Sequence, residues 1–522
     1  MRGMIAAMIG AMAALTTPAR AAWFEASTDH FIIDADTTEA RIRDFATKLE
    51  RFDSALRRLY SIKEDVNGRS NRVHVYAAGS NTIVNLCGSG CPQTVRGFYR
   101  PRAGGSIIFT AALSGAQGIY DISAQQVLLH EYSHHFMFSN FPRAFPMWFA
   151  EGFAEFNANV KFEDNGSIRI GLPANYRAYA LFVGQRISMH ELFNPPERDL
   201  DNPATLDAIY GRSWLLVHYL MMDPARQKQI NVYLAKLNGG QSSVDAATAA
   251  FGDVKKLSYA LESYLSANRF PQMAVSPAPG TIAIDVKPLS DGAAVMMPVH
   301  LRSTSGITIQ QAKPLANEAE KRAAPYPNDP RVQVELAEAE YDAGNDAATD
   351  AAADRTLAVD PSDRAAMLYK GRVAIRRAMA AQATDARTWA AARSWFVKAN
   401  RADPEAAQPL LLYYSSYLAQ GVRAPDLAVD GLWKAEMLAP EDAGVHWLLA
   451  ARMLMDGDTA TARSLLVPIA FTPHGGNRDN AARAVLDLID AGKIAEAKVK
   501  MNTGGAQKSD TGVAAPKYQP KN

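Results

Sequence analysis

The sequence predicts an α+β domain followed by an all-α helical solenoid. Short apolar segments rich in β-branched residues occur mainly before residue 111, where they alternate with a helical pattern. Residues 123–268 carry mostly helical periodicity. From residue 311 onward, alanine-rich helical patterns are interrupted by prolines at repeating intervals. At 522 residues the chain is also long enough for two or three domains.

Composition and charge indicate a globular protein without a strongly charged partner. Hydrophobic residues make up 48% of the chain and charged residues 21%, a balance that supplies real cores. Lys and Arg total 55 against 54 for Asp and Glu. Because a near-neutral chain has no field that attracts polyanions, nucleic acid and anionic lipid are set aside as leading partners.

Residues 1–21 are predicted to be a signal peptide. Arg2 precedes an apolar run over residues 4–15, and Ala19-Arg20-Ala21 has the small-x-small pattern of a cleavage site. The run is shorter than the roughly 20 residues that span a bilayer. An uncleaved anchor is the alternative. With no other long apolar stretch, we expect a bacterial protein exported to the periplasm or secreted, with no membrane span after signal removal.

Cys87 and Cys91 are the chain's two cysteines. In an oxidising compartment, two cysteines this close are expected to form a small disulfide-closed loop. Two free thiols are the alternative. A metal site needs more ligands than these two residues provide, so the sequence predicts a local structural link without a catalytic role.

Residues 22–268 are predicted to form the α+β domain. Residues 30–34, 72–76 and 105–110 have the apolar or alternating character of strands. Between the first two of these segments, apolar residues recur every three or four positions, as on the buried face of a helix. That stripe consists of Ile42, Phe45, Leu49, Phe52 and Leu56.

Residues 269–310 are predicted to be a linker with a small β element. Helix- and strand-breaking residues crowd its first part, and short apolar runs follow. The breakers are Pro271, Pro277, Pro279 and Gly280.

Residues 311–497 resemble tetratricopeptide repeats. Pro327 and Pro361 stand 34 residues apart, which is the tetratricopeptide period. Pro404 and Pro440 are 36 apart, but Pro361 and Pro404 are 43 apart, so one repeat carries an insertion or has decayed. Generic helical hairpins are the alternative. Residues 498–522 contain almost no large apolar side chains at their end and are predicted to be a disordered tail.

The pattern with the most chemical content lies on a helix predicted to start at Ser123, which forms a capping-box pair with Gln126. His130 and His134 lie one helical turn apart, so both imidazoles project from one face and can coordinate one zinc ion. Glu131 is placed beside them to accept a proton from a metal-activated water. A buried helix with two hydrogen-bonded histidines is the alternative.

A zinc site of this type needs a third protein ligand, and Glu151 is the candidate. Its neighbours are aromatic, so its carboxylate is expected to be buried and to need a partner such as a metal. Glu155, one turn further, is placed to hydrogen-bond a ligand histidine. A solvated helix face is the alternative. The aromatic neighbours are Phe145, Trp148, Phe149, Phe153 and Phe156.

His-Glu-x-x-His followed by Trp-Phe-Ala-Glu-Gly-Phe-Ala-Glu resembles the gluzincin clan of zinc metallopeptidases, which includes thermolysin and the aminopeptidase N type. The nearest likeness is to secreted bacterial peptidase MA-like domains. The resemblance implies a small β-sheet, the zinc helix and a helical subdomain. It also implies Zn²⁺ held by His130, His134 and Glu151, with Glu131 as catalytic base and Glu155 supporting a ligand. In thermolysin-like enzymes that last acid is usually Asp.

The resemblance also bears on the rest of the site. The clan uses a hydrogen-bond donor, often Tyr, to stabilise the oxyanion, and Tyr210 is the candidate, with a core tyrosine as the alternative. Arg212 and His218 are weaker substitutes. The clan lays substrate along a strand edge, for which residues 105–110 are predicted. His135, beside the motif, is expected to be a helix-face residue.

The sequence departs from the well-known branches of the clan in two ways. The spacer between His134 and Glu151 is shorter than in either well-known branch, which leaves the branch open. The Gly-x-Met-Glu-Asn motif, by which aminopeptidase N relatives capture a free amino terminus, is absent before the zinc helix. This absence argues against a strict aminopeptidase.

The sequence therefore predicts an exported zinc peptidase that acts on a peptide or protein substrate, with repeats that recruit the substrate or a partner protein. A catalytically inactive peptidase-fold scaffold, acting through its repeats, is the alternative. A zinc hydrolase of non-peptide substrates is a third hypothesis, because a zinc-bound hydroxide attacks several kinds of carbonyl.

Overall fold

A computed structural model describes residues 22–504, except 64–67, 89–90, 92–94, 112–117, 119, 142, 197–199, 201 and 472–479. The predicted signal peptide and residues 505–522 of the predicted tail lie outside the described residues. Within the described part of the chain, no helix combines the length and apolar character needed to cross a membrane.

The N-terminal part is built on a six-stranded mixed sheet with the order β4-β5-β3-β2-β1-β9. Strands β2, β3 and β5 run parallel to one another, and the other neighbours are antiparallel. A second sheet has the order β6-β7-β8. The strands are β1 (Ala22–Ser27), β2 (Phe31–Thr37), β3 (Val73–Ala78), β4 (Gly97–Arg100), β5 (Ile107–Ala111), β6 (Val160–Phe162), β7 (Ile168–Ile170), β8 (Met273–Val275) and β9 (Asp285–Pro288).

Ten helices accompany these sheets in the described residues up to 268. They are α1 (Glu39–Tyr60), α2 (Ser80–Cys87), α3 (Ala124–Asn140), α4 (Met147–Ala158), α5 (Ala178–Phe182), α6 (Met189–Phe193), α7 (Pro203–Met221), α8 (Pro224–Asn238), α9 (Ser243–Phe251) and α10 (Val254–Ala267). Helix α1 begins at a Thr38 cap and buries the apolar stripe that its sequence predicts. The three predicted strand segments are confirmed, with small shifts in their ends, as β2, β3 and β5.

Residues 269–310 are part of the fold. Strand β9 extends the main sheet beyond β1, and β8 pairs with β7. The segment also contains a helix that its sequence did not predict, α11 (Asp291–Thr304). Met297 and Leu301 of α11 pack with Tyr76 and Phe109 on one face of the main sheet, while α1 and α3 cover the opposite face. This segment therefore completes the sheet and its covering layer.

The C-terminal part consists of stacked helix pairs, which confirms the helical-repeat part of the prediction. Helices α13 and α15 begin 34 residues apart, at Pro330 and Arg364, as the proline spacing predicts. The helices are α12 (Ile309–Ala323), α13 (Pro330–Asp342), α14 (Asp346–Val359), α15 (Arg364–Ala380), α16 (Ala386–Ala402), α17 (Ala407–Ala419), α18 (Asp426–Leu438), α19 (Ala443–Asp456), α20 (Thr459–Ala470), α21 (Ala481–Asp490) and α22 (Ile494–Gly504).

Two further features concern the ends of predicted segments. Helix α22 continues to Gly504, so residues 498–504, which the sequence places in the tail, are helical, and Met501 is buried. Cys87 and Cys91 form a disulfide at the end of α2, as their spacing in the sequence predicts.

The repeats pack against the sheet through the turns and helix starts at one edge of the solenoid. Hydrogen bonds and ion pairs cross this boundary, and the side chain of Gln408 lies against Gly104 in the turn between β4 and β5. The crossing contacts include Arg331 with Glu25 and Asp34, Asp403 with Ser70, Asp442 with the backbone amide of Ala103, and Glu441 with Ser106. The two parts of the chain therefore share a polar interface.

Candidate metal centre

Helix α3 starts where its sequence predicts. The side chain of Ser123 accepts a hydrogen bond from the Gln126 backbone, and the Gln126 side chain accepts one from the Ser123 backbone, which completes a capping box. From this start, His130 and His134 lie on one face of the helix. Their ring centroids are 4.7 Å apart with the ring planes at 83°.

Helix α4 brings Glu151 to the same place. Every residue of this helix from Trp148 to Ala158 is buried. Gly152 lets α4 approach α7 closely, because a Cβ atom there would lie 2.5 Å from the carbonyl oxygen of Ser213 and 2.6 Å from a methyl group of Val217. Helix α7 therefore packs directly against α4. The Glu151 side chain is completely buried, and its carboxylate faces His130 and His134.

Three donor atoms of these residues form a compact triangle. His130 Nε2 lies 3.1 Å from His134 Nε2 and 3.3 Å from a Glu151 carboxylate oxygen, which is 3.6 Å from His134 Nε2. Nitrogen or oxygen donors bound to a tetrahedral zinc ion at about 2.0–2.1 Å are separated from one another by about 3.3 Å. The spacing of the triangle and its donor chemistry therefore fit one zinc ion. It is also the one group of this kind among the described residues.

Glu155 lies next to the triangle, on the Nδ1 side of the His130 ring. It does not form the hydrogen bond to a ligand histidine that its sequence position suggested. Its carboxylate lies 3.7 Å from His130 Nδ1, an ion-pair distance beyond hydrogen-bond reach. It accepts hydrogen bonds from Tyr176 at 2.5 Å and from Arg177 at 2.6 and 3.2 Å. Arg177 also donates to Asp207 at 2.6 Å. Glu155 is completely buried, so this guanidinium supplies the charge that balances it.

Tyr176 and Arg177 were missed by sequence reasoning. They lie in a short 3-10 turn, Asn175–Arg177, between β7 and α5, and no motif surrounds them. Burial lowers the pKa of Arg177, but the Glu155 carboxylate outweighs this and raises it above its ordinary value. The one sequence signal was indirect, because a buried acid such as Glu155 requires a cation from elsewhere in the chain.

The acids around the triangle also act on His130. Burial lowers its pKa, and the carboxylates of Glu151, Glu155 and Glu131 together raise it above the ordinary value of 6.5. The charge of Glu131, the residue next to His130, is therefore one of the causes that raise the His130 pKa. The same charge contributes to the raised pKa of Tyr210 on α7.

Tyr210 lies beside the triangle, as the sequence predicts. Its ring stacks on that of His130 with a centroid distance of 6.1 Å and an interplanar angle of 16°. The guanidinium of Arg177 lies 4.9 Å from the centre of the same ring. Burial, together with Glu151, holds the pKa of Tyr210 well above 10, so its hydroxyl stays protonated and able to donate a hydrogen bond.

The two weaker candidates for the role of Tyr210, Arg212 and His218, form their hydrogen bonds with other residues. Arg212 donates to Glu262 and Ser258, and His218 bonds the Tyr264 hydroxyl and the carbonyl of Gly171. None of these hydrogen bonds involves a residue of the donor triangle.

His135, next to the motif, also points away from the triangle. Its Nδ1 lies 2.9 Å from the hydroxyl of Tyr99 on β4 and 3.9 Å from the carboxylate of Glu441 in the repeats. This placement agrees with the expectation that His135 is not a ligand.

The prediction that residues 105–110 provide the free strand edge is wrong. Strand β5, which contains most of them, pairs with β3 on one side and β4 on the other. The edge strand on this side is β4 (Gly97–Arg100), which pairs with β5 alone among the described strands. The residues that form β4 were not assigned to a strand from the sequence, so the pairing that buries β5 could not be foreseen.

Comparisons with known proteins add little to this picture. No protein-family model matches the chain, and no curated protein matches it. A solved structure of a thermophilic tetratricopeptide-repeat protein from Thermus thermophilus is similar over 40% of this chain and 98% of its own length. The sequence identity is 19% and the TM-score is 0.29. The stacked helix pairs described above stand on the structure alone.

Proposed function

We propose that this protein is a zinc-dependent peptidase that hydrolyses peptide bonds with a water activated by Glu131. The observation that carries the proposal is the donor triangle of His130, His134 and Glu151, whose sides of 3.1 to 3.6 Å suit one tetrahedral zinc ion. Two imidazoles and one carboxylate leave a fourth position for water, which is the ligand count of catalytic zinc sites.

The residues around the triangle suit the steps of peptide hydrolysis. Bound zinc supplies a Lewis acid and a water of lowered pKa. The Glu131 carboxylate accepts the proton of the attacking water and returns it to the leaving nitrogen. The protonated hydroxyl of Tyr210 donates a hydrogen bond to the developing oxyanion. Glu155, held by Arg177 and Tyr176, keeps negative charge 3.7 Å from His130 Nδ1 and so helps to raise the pKa of that imidazole.

The edge strand β4 offers a place for the substrate backbone. Helix α3 and β4 are neighbours, joined by the bond between Tyr99 and His135. A polypeptide that adds to the free edge of β4 as an extra strand would run beside the zinc helix. This assigns to β4 the role that the sequence had suggested for residues 105–110.

Export and partner binding complete the proposal. Residues 1–21 have the composition of a signal peptide, and the Cys87–Cys91 disulfide suits an oxidising compartment. The repeats present extended helical surfaces, which in stacked helix pairs commonly bind polypeptides. We assign to them the recruitment of a substrate or partner protein.

The test combines metal content with catalysis. The purified mature chain is expected to hold about one zinc ion and to cleave an unfolded protein substrate. Glu131→Gln is expected to keep the zinc and lose about 10²- to 10⁴-fold in cleavage rate, whereas Glu39→Gln, an exposed change on α1, leaves the rate unchanged. A chain that binds zinc but cleaves nothing, with a cellular role indifferent to Glu131→Gln, would instead support the inactive scaffold.

A further inference from the structure

Helices α16 and α17 border a cavity of about 380 Å³ in the repeat region. Its polar lining consists of three basic side chains, two tyrosines and one serine, and none of the residues that line it is acidic. The two tyrosine hydroxyls lie 3.0 Å apart. The polar lining residues are Arg393, Ser394, Lys398, Arg401, Tyr413 and Tyr417.

Arg393 is a buried cation with no carboxylate beside it. Its residue is 8% exposed, and its guanidinium stacks 3.6 Å from the centre of the Tyr417 ring. Its hydrogen bonds go to the hydroxyl and carbonyl of Ser416 and to the side-chain oxygen of Gln420. These acceptors are neutral, and among the described residues no Asp or Glu forms an ion pair with Arg393. A buried charge without a counter-charge is costly.

Lys398 and Arg401 extend this positive surface. Neither forms an ion pair with an acid among the described residues, and the ammonium of Lys398 lies 4.1 Å from the Trp395 ring. The neighbouring helix differs, since Arg376 and Arg377 of α15 both pair with acids of α14. Three cations therefore surround one cavity without acidic partners in the described part of the chain. They form a local concentration of positive charge in a chain whose net charge is only +1.

We propose that this cavity binds an acidic polypeptide segment, whose carboxylates pair with Arg393, Lys398 and Arg401. The tyrosine hydroxyls can donate to the same carboxylates, and the aromatic walls can pack the aliphatic part of Glu or Asp side chains. A small inorganic anion would fill only a fraction of a cavity of about 380 Å³. The site therefore defines the chemistry of a partner for the repeats, and it goes beyond the hydrolysis proposed above.

The experiment measures binding of a fluorescent hexapeptide of glutamates to the full mature chain carrying Glu131→Gln, so that cleavage cannot interfere. The double change Lys398→Glu/Arg401→Glu is expected to weaken binding by about tenfold or more, because it replaces two attractions with repulsions. Both side chains are outside the buried core, so the fold is expected to survive. The matched control is Lys313→Glu/Lys321→Glu on α12, which changes the net charge equally at exposed positions.

The outcomes separate the site from general electrostatics. Selective loss in the α16 double variant, with retained binding in the control, supports the proposal. Equal loss in both variants, equal binding of a hexapeptide of glutamines, or absence of binding to the starting protein would each overturn it. Displacement of the peptide by an equal concentration of inorganic phosphate would also overturn the assignment to a polypeptide. None of these results depends on zinc or on hydrolysis.

Discussion

The carboxylate of Glu441, in the turn between α18 and α19, accepts a hydrogen bond of 3.2 Å from Ser139 on α3. Its other oxygen accepts a hydrogen bond of 2.8 Å from Ser106, just before β5. The Glu441 side chain is only 6% exposed. One residue of the repeats thus joins the helix that carries the candidate ligands to the sheet that borders it, so the repeat region also supports the candidate site.

Glu441→Ala is expected to destabilise the protein by about 1–3 kcal/mol, because it removes the acceptor of the buried Ser106 hydroxyl. Urea unfolding measures the loss, and zinc affinity is expected to fall with it since α3 is less firmly held. Glu496→Ala, at an exposed position on α22, is the control and should leave both quantities unchanged. If the two variants behave alike, Glu441 does not couple the repeats to the site.

Gly152→Ala tests the close packing of α4 against α7. An added Cβ would lie 2.5 Å from the Ser213 carbonyl oxygen, so the two helices must separate, at a cost of about 1–3 kcal/mol. Gly431→Ala is a matched control in the interior of α18, where the nearest atom to an added Cβ is 3.6 Å away. There the better helix propensity of alanine is expected to add about 0.5–1 kcal/mol of stability.

The same pair of variants also reports on the metal site. Glu151 directly precedes Gly152, so a separation of α4 from α7 also shifts Glu151. Gly152→Ala is therefore expected to weaken zinc binding in a calorimetric titration. Gly431→Ala is expected to leave zinc binding unchanged. Equal stability changes of the same sign in both variants would contradict the packing argument.

Local patterns predicted the candidate site better than its surroundings. The four-residue spacing of His130 and His134 fixes their common face on any helix, and the aromatic neighbours of Glu151 imply its burial. Both inferences use only residues near in sequence. Arg177 reaches Glu155 through a turn with no repeating pattern, so its partnership could be read only from the structure.

The order of strands in the sheet also depends on residues that are distant in sequence. The strand character of β5 is visible in its sequence, but its neighbours are not, and β4 rather than β5 forms the edge. Strand β9 joins β1 from more than 250 residues later in the chain. Because a strand's own pattern says little about which strand lies beside it, residues 269–310 looked like a linker when they complete the sheet.

His30, outside the donor triangle, gives the protein a pH-dependent contribution to stability. Burial lowers its pKa, but the hydrogen bond to Glu50 at 2.8 Å and the charge of Asp53 raise it above 6.5. A pKa raised by folding stabilises the folded state below the unfolded value, and this contribution is lost as the pH rises through the folded value. The Glu50 pKa is lowered despite burial, because of His30, so its contribution is lost as the pH falls below 4.5.

Unfolding by urea at several pH values checks this dependence. In the unaltered protein the His30 contribution is expected to disappear above pH 6.5, whereas His30→Asn should lack this part of the pH dependence and be less stable below it. His190→Asn, at an exposed position on α6, is the control and should keep the slope of the unaltered protein. Parallel slopes in all three proteins would contradict the assignment to His30.

Arg177→Met tests whether the guanidinium balances the charge of Glu155. Because Glu155 is completely buried, removal of its cation is expected to cost about 3–5 kcal/mol. Glu155→Gln in the same chain should recover part of this loss, since the amide carries no charge to compensate. A double-mutant cycle of unfolding free energies measures the coupling, and Arg186→Met, at an exposed position before α6, controls for loss of an arginine. Additive changes would show that the two side chains act independently.

Zinc itself should stabilise the folded chain, because the three donors come together only when α3 and α4 are folded. At a free zinc concentration 100 times the dissociation constant, the expected gain is about 2.7 kcal/mol. His134→Ala removes one of the three donors and is expected to abolish most of this gain, whereas His190→Ala, which changes an exposed histidine outside the site, should retain it. Thermal unfolding with and without zinc measures both. Because any exposed histidine can bind zinc weakly, an equal shift in the two variants would mean that the stabilisation comes from nonspecific binding and that the triangle is not a metal centre.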